Sequence, residues 1–123
     1  TEEETIKMFG DGSQSRDFTY VYDIARGTIA AIRDVGYEII NLGGGRNPVS
    51  LNTIISKLEE LLGVKAKIDH KPFHIADLME TWADISKAKR LLDWEPLVSL
   101  EDGLEKSVQW YMDNRHWLKE VQV

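Results

Sequence analysis

Apolar residues recur at helical spacing in four stretches of the chain and cluster in short runs between them. The clearest helical run follows Pro48-Val49-Ser50. There Leu51, Ile54, Ile55, Leu58, Leu61 and Leu62 return every three or four residues and so line one side of a helix. Ser50 is a good N-cap and Gly63 a good left-handed stop, which sets the ends of that helix. A second stripe runs from Tyr22 to about Arg33, with Ile24, Thr28, Ala31 and Ile32 on one face and Ala25 and Ile29 flanking it. Its small and branched side chains predict close packing against a sheet, and Asp34 to Gly36 should end it. A short helix over 85–92 can be capped by Asp84 and is broken by Trp94-Glu95-Pro96. A last helix from Leu100 to about Arg115 presents Leu104, Val108, Tyr111 and Met112, with Ser99 as cap and Asp102 as the acid of a capping box.

The runs between the helices read as strands. Ile6-Lys7-Met8-Phe9 is β-competent, and Asp17-Phe18-Thr19-Tyr20-Val21 is rich in β-branched and aromatic residues. Gly10-Asp11-Gly12 lies between them, where glycine takes positive φ without steric cost. The pattern predicts a hairpin, or two short strands, around that turn. Tyr37 to Leu42 reads as a short buried strand closed by Gly43-Gly44-Gly45, and Val64 to Asp69 as another. Residues 70–83 are irregular. The sum is one α/β domain of short strands and about four helices, with no internal repeat.

Composition narrows the function classes. The 123 residues include 15 basic and 21 acidic, a net charge of −6 with histidine neutral. Residues 1–61 hold 6 basic and 10 acidic side chains and residues 62–123 hold 9 and 11, so neither half is basic. A non-specific binder of nucleic-acid backbone is therefore not expected. The absence of cysteine excludes disulfides, thiol nucleophiles, iron–sulfur clusters and thiolate zinc sites. No apolar run approaches the roughly 18 residues of a membrane span. The acidic opening Thr1-Glu2-Glu3-Glu4-Thr5 is unlike a secretory signal. These features predict a cytoplasmic protein with no membrane partner.

On residues alone, the chemistry is thin. Arg16 follows a glycine turn at the mouth of a predicted strand, where its planar fork could meet a phosphate or carboxylate. A surface pair with Asp17 or Glu38 is the plainer reading. Gly43-Gly44-Gly45 stands between a strand and a helix, yet it matches neither the dinucleotide fingerprint nor the P-loop, so a tight turn is favoured over a phosphate cradle. His70, His74, Asp77 and Asp84 could suggest a metal, but Pro72 disfavours the helix that would align them, and no metal site is expected. Tyr20 and Tyr22 have no lysine three or four residues beyond them. The four tryptophans fall near predicted helix ends, where packing is their expected use.

Several segments together are more specific. Gly10-Asp11-Gly12-Ser13-Gln14-Ser15-Arg16-Asp17-Phe18-Thr19-Tyr20-Val21-Tyr22-Asp23-Ile24 resembles the GDGxxxRDFxYVxDI stretch of extended short-chain dehydrogenase/reductases. Ile40-Asn41-Leu42-Gly43-Gly44-Gly45 through Ser50-Leu51 resembles their xNLGxG…xSL strand–turn–helix. Asp77, Thr81-Trp82-Ala83-Asp84-Ile85-Ser86-Lys87-Ala88 and Leu92-Asp93-Trp94-Glu95-Pro96 resemble their GDxxxTxADxSKAxxxLGWxP segment, and Leu100-Glu101-Asp102-Gly103-Leu104 their LEEGL helix opening. In this order, over residues 6–115, the motifs are similar to the C-terminal part of NAD-dependent sugar-nucleotide epimerases and dehydratases, of the UDP-glucose and UDP-glucuronate 4-epimerase kind.

The resemblance implies the substrate-binding portion of an extended Rossmann-type enzyme. In that family a tyrosine deprotonates a sugar hydroxyl while NAD takes a hydride, and the keto sugar turns over before it is reduced from the other face. The C-terminal portion grips the nucleotide diphosphate during this rotation. The resemblance assigns the diphosphate to Arg16, the nucleotide pocket to Phe18, the uracil or ribose to Ser50 and the ribose hydroxyls to Asp77. His74 stands where a second diphosphate arginine is usual, and either contacts phosphate or serves only the loop. Asp84, Ser86 and Lys87 are expected to cap and pack. Neither the GxxGxxG fingerprint nor the Tyr-x-x-x-Lys pair occurs in this sequence. The chain alone is therefore expected to bind no NAD and to carry no catalytic residue. Its expected partners are a UDP-sugar or similar nucleotide sugar, the N-terminal Rossmann domain, on which residues 22–49 would pack, and further copies in a homo-oligomer. A free-standing nucleotide-binding or protein-interaction module without catalysis is the alternative. Without its sheet neighbours the segment 37–42 should expose apolar edges, leaving the isolated chain marginal, self-associating or re-paired.

Overall fold

The structure, a computed structural model, describes residues 5–118 apart from 46, 47 and 75. Among the described residues four helices form: α1 (Val21–Ala30), α2 (Leu51–Leu62), α3 (Ser86–Leu92) and α4 (Leu100–Leu118). Five short strands accompany them: β1 (Ile6–Phe9), β2 (Ser15–Arg16), β3 (Val49–Ser50), β4 (Ile68–Lys71) and β5 (Glu80–Thr81). The helix ends follow local chemistry. The Ser50 hydroxyl accepts the Thr53 N–H at 3.2 Å, and Gly63 closes α2 in the left-handed region at φ 66°. Asp84 accepts the Ser86 N–H at 2.9 Å, and the Ser99 hydroxyl accepts that of Asp102 at 3.1 Å. Asp93, at φ 52°, turns the chain out of α3 ahead of Trp94.

Two short strands, β1 and β2, flank Gly10-Asp11-Gly12, the second of the two expectations, and they lie in different sheets. No hairpin forms around Gly10-Asp11-Gly12. β1 pairs in parallel with β4, Ile6 opposite Ile68 and Phe9 opposite Lys71. β2 is the centre of a second sheet, antiparallel to β3 and parallel to β5. The glycine turn carries the chain from one sheet to the other because it docks on the start of α2. Asn52 N donates to Gly12 O at 3.0 Å, and Asn52 Nδ2 donates to Asp11 O at 3.0 Å. Gly12 sits at φ 80°, and a Cβ there would come within 2.1 Å of Asn52 Oδ1. The strand expected over 17–21 does not form; a two-residue strand lies just before it at Ser15–Arg16 and α1 begins at Val21, while the strand expected over 64–69 shifts to Ile68–Lys71.

Residues 37–42 are no strand. They form no ladder, and Tyr37 is 95% exposed. Only Ile40 and Leu42 of this run turn inward, onto the main core of Ala88, Leu92 and Trp94. Helix α1 also departs from its predicted stripe. It buries Asp23 and Gly27, while Ile29 is exposed and Ile32, beyond its end, is 83% exposed. The helix stops at Ala31 in a right-handed cap, five residues before Gly36. Met112, expected inside, is half exposed, although Leu104, Val108 and Tyr111 are part-buried as the period required. Of the four tryptophans only Trp94 packs a core; Trp82 and Trp110 are more than half exposed, and Trp117, at 39%, meets Trp110 edge-on.

Candidate functional site

The central sheet brings together residues distant in sequence. Arg16 ends β2, next to Thr81 of β5 in the ladder and Val49 of β3 on the other side. Its guanidinium is anchored twice. Nη1 donates to Ser15 O at 2.9 Å, and Nη2 donates to Asp77 Oδ1 at 2.5 Å. Arg16 is thus paired with Asp77, 61 positions away, and not with Asp17 or Glu38. Both side chains are about two-thirds buried, at 28% and 33% exposure. Glu38 instead meets Lys87 at 3.0 Å.

Asp77 is held by a local turn. Its N–H donates to His74 O at 2.8 Å, and its Oδ1 also accepts the Leu78 N–H at 3.0 Å. His74 Nδ1 accepts the Ala76 N–H at 3.3 Å. An imidazole that accepts at Nδ1 carries its proton on Nε2, so Nε2–H is the group it has left to donate. Phe9, His74, Ala76 and Asp77 line a shallow recess of about 320 Å³.

Asp17, the residue after β2, organises the neighbouring glycine turn. Its Oδ2 accepts the N–H of Gly45 at 2.7 Å and that of Ala83 at 3.3 Å. A side chain on Gly44 would collide with this carboxylate, since a Cβ there would lie 2.0 Å from Asp17 Oδ1. The glycine turn therefore wraps an internal anion. That arrangement does not fit a dinucleotide phosphate, because the carboxylate already faces the turn and takes a backbone donor. Beyond it lies a recess of about 430 Å³, lined by Phe18, Thr19, Val49 and the chain from Pro96 to Glu101.

The residues singled out in the sequence therefore divide. His74 and Asp77 line one recess, and Arg16 meets it through its ion pair with Asp77. Phe18 lines the larger one. Ser50 stands opposite Ser15 in the β2–β3 ladder, and its hydroxyl is committed to the α2 cap. His70 bonds to Gly10 O through Nδ1 at 2.9 Å, and Asp84 accepts the Ser86 N–H at the start of α3, so these two stand apart from His74 and Asp77, which share one turn.

Sequence reasoning missed Asp23, which is fully buried. Its Oδ1 accepts from Arg26 Nη2 at 2.8 Å, and its Oδ2 accepts the N–H groups of Leu97 and Val98 at 3.1 and 2.9 Å. Its carbonyl accepts Trp94 Nε1–H at 3.0 Å, and Arg26 reaches on to Glu95 O at 2.7 Å. Burial pushes its carboxyl up, but Arg26 and the two amides outweigh that and hold it below the usual 3.8. Asp23 thereby fixes the 94–98 segment, which forms one wall of the larger recess.

Residues 1–107 match the family model described as GDP-mannose 4,6 dehydratase. The chain belongs to this family. Its fold is that of the C-terminal portion of extended short-chain dehydrogenase/reductase epimerases. It is 59% identical over 122 residues to a UDP-glucuronate 4-epimerase of Thermodesulfobacterium geofontis, covering 99% of this chain and 38% of that one. UDP-glucuronic acid 4-epimerase from Bacillus cereus, solved with UDP-glucuronic acid and NAD, superposes with a TM-score of 0.80 at 42% identity, over 91% of this chain and 36% of that one. An epimerase from Methanothermobacter thermautotrophicus gives a TM-score of 0.85 at 34% identity, over 95% and 35%. The chain thus spans little more than a third of the relatives it matches. Among the described residues, no helix is long and apolar enough to cross a membrane.

Proposed function

We propose that this chain is the nucleotide-sugar-gripping portion of an NAD-dependent UDP-sugar 4-epimerase, working in the cytoplasm as a homo-oligomer and catalytically incomplete without the rest of that enzyme. The 59% identity to a UDP-glucuronate 4-epimerase favours epimerisation over the dehydratase and decarboxylase activities of more distant relatives. The observation that carries the reading is the convergence of Arg16 and Asp77 at the end of the central sheet. A cation with spare donors beside a carboxylate acceptor is the chemistry that a nucleoside diphosphate requires: donors for phosphate oxygens and an acceptor for ribose hydroxyls. In this reading His74 adds a contact to the diphosphate, Ser50 one to the uracil or ribose, and Phe18 belongs to the nucleotide pocket.

NAD, held by the remainder of the enzyme, would accept and return the hydride. The residues here do the holding. A diphosphate clasped at Arg16 leaves the sugar free to turn, so both faces can be presented to one cofactor. Residues 22–49 pack on the cofactor domain in this reading, which the exposed Tyr22, Ile29, Ile32 and Ile39 support.

Titration of UDP and UDP-glucuronate against the chain and against the complete enzyme tests the proposal. The complete enzyme should bind and this chain should bind weakly or not at all, because much of the pocket lies elsewhere. Arg16→Ala in the complete enzyme should cost on the order of 1.5–3 kcal/mol of nucleotide affinity. Unchanged affinity would remove Arg16 from the site, and sugar interconversion by this chain unaided would overturn the whole reading.

A further inference from the structure

The larger recess has one wall without secondary structure of its own. Residues 93–99 form neither helix nor strand, yet this segment faces Phe18, Thr19 and Val49 across the recess. Backbone donors in such a segment need partners from elsewhere. Pro96 has no N–H, and the N–H groups of Leu97 and Val98 both go to one atom, Asp23 Oδ2, at 3.1 and 2.9 Å. Packing of the Leu97 side chain does not hold the wall, since Leu97 is 69% exposed. The buried Trp94 pins the start of the segment through its Nε1–H on Asp23 O at 3.0 Å. The place of residues 97 and 98 thus depends on a carboxylate far earlier in the chain.

Taking a carboxylate out of water costs free energy that an apolar residue of similar volume would not incur. What the carboxylate supplies is acceptance on two sides. Oδ1 takes Arg26 Nη2 while Oδ2 takes the two amides. It therefore fixes where the wall stands as well as that it stands. Asp23 also lies on α1, so the wall is tied to the helix that the reading above seats on the cofactor domain.

We infer that Asp23 is a positioning residue for the reaction: through the amides of Leu97 and Val98 it holds the recess wall where a bound nucleotide sugar meets it. This rests on the reading that places Phe18 in the nucleotide pocket. Asp23 is fully buried and touches no ligand itself. A displaced wall loosens ground state and transition state alike, so the effect belongs in KM and not in kcat.

The test is steady-state kinetics of the complete enzyme with its cofactor on UDP-glucuronate. Asp23→Asn offers one oxygen where two are used, so its NH2 must face either Arg26 or the two amides. KM should rise about tenfold while kcat stays within about twofold of the parent. Partial unfolding gives the opposite split, because it lowers the active fraction and leaves KM alone. That opposite split, or an unchanged KM in a folded variant, would overturn the positioning role. If the variant does not fold, the parent enzyme supplies a second readout. Hydrogen exchange over residues 94–101, followed by mass spectrometry, should slow about threefold or more when UDP-glucuronate is added. Exchange there that ignores the ligand would put the wall outside the site and overturn the role as well. Arg16→Ala separates this from the underlying reading. If it weakens UDP binding while Asp23→Asn leaves KM alone, the grip stands and the positioning role falls. If it leaves UDP binding intact, the grip itself falls and the positioning role with it.

Discussion

At the scale of single residues, the two groups on which the proposed grip rests were visible in the sequence, but their relation was not. Arg16 and Asp77 each stand in a motif that resembles a known pattern. Their mutual contact depends on the parallel pairing of β2 with β5, which no local signal encodes. Asp23 is the converse. It lies in the same quoted stretch, yet its partners at 94–98 are over 70 positions away, so nothing nearby marked it as buried. Removing it should be severe. Asp23→Ala strands the Arg26 cation and two backbone amides, and should cost about 3–5 kcal/mol. Asp23→Asn keeps acceptor oxygen but loses the charge, and should cost about 1–3 kcal/mol. Because folding lowers this carboxyl below 3.8, its stabilisation is fully present above that value and is lost as the pH falls through the folded-state value. Urea denaturation over a pH series should show the parent losing stability more steeply than Asp23→Asn as the pH falls below about 4. Parallel curves for the two proteins would mean that Asp23 contributes nothing through its charge.

At the scale of elements, what depended on neighbours three or four residues apart was legible, and what depended on distant partners was not. Helix α2 begins and ends where Ser50 and Gly63 place it, and the caps at Asp84 and Ser99 form as expected. The strands are two to four residues long and take their register from chain far away, so hydrophobic runs located them only approximately. The face of α1 was misread for a related reason. Periodicity finds large apolar residues, but α1 approaches the core through Gly27, where the absence of a side chain is what matters. A Cβ on Gly27 would lie 2.7 Å from both Leu42 methyl carbons and 2.9 Å from Trp94 Nε1. Two effects oppose each other in Gly27→Ala. Helix propensity favours alanine by about 1 kcal/mol, while overpacking costs about 1–3 kcal/mol. Trp94 cannot retreat without loosening its bond to Asp23 O, so the clash should win and the melting temperature should fall. Gly63→Ala is the control. Nothing lies within 4 Å of that Cβ, and only the left-handed backbone, about 1 kcal/mol, opposes it. If Gly27→Ala melts higher than the parent, α1 is not seated against Trp94 as described.

At the scale of the whole molecule, the most telling feature is the distribution of exposed apolar area. Val21, Tyr22 and Ile29 on α1, Ile32 just beyond it, and Tyr37 and Ile39 in the following segment all face outward. They fall within one stretch of 19 residues, the stretch whose predicted strand finds no ladder. Scattered exposed apolar residues are ordinary, but six within one stretch are what the proposed packing of this segment on a further domain requires. The buried core that remains is small, centred on Ala88, Leu92 and Trp94. The isolated chain should therefore self-associate through this surface. Light scattering across a concentration series should show its mass rising with concentration. Ile32→Lys combined with Ile39→Lys should suppress that rise without lowering the melting temperature, because neither side chain is packed in this chain. In the complete enzyme the same pair should do the opposite, lowering the melting temperature by several degrees, on the order of 2–4 °C per kcal/mol lost. The contrast is the argument: a substitution harmless to the part and damaging to the whole locates the surface on which the two were built to meet. A parent chain that stays monomeric, together with a complete enzyme indifferent to both lysines, would make this run ordinary surface and leave residues 22–49 without a role in packing.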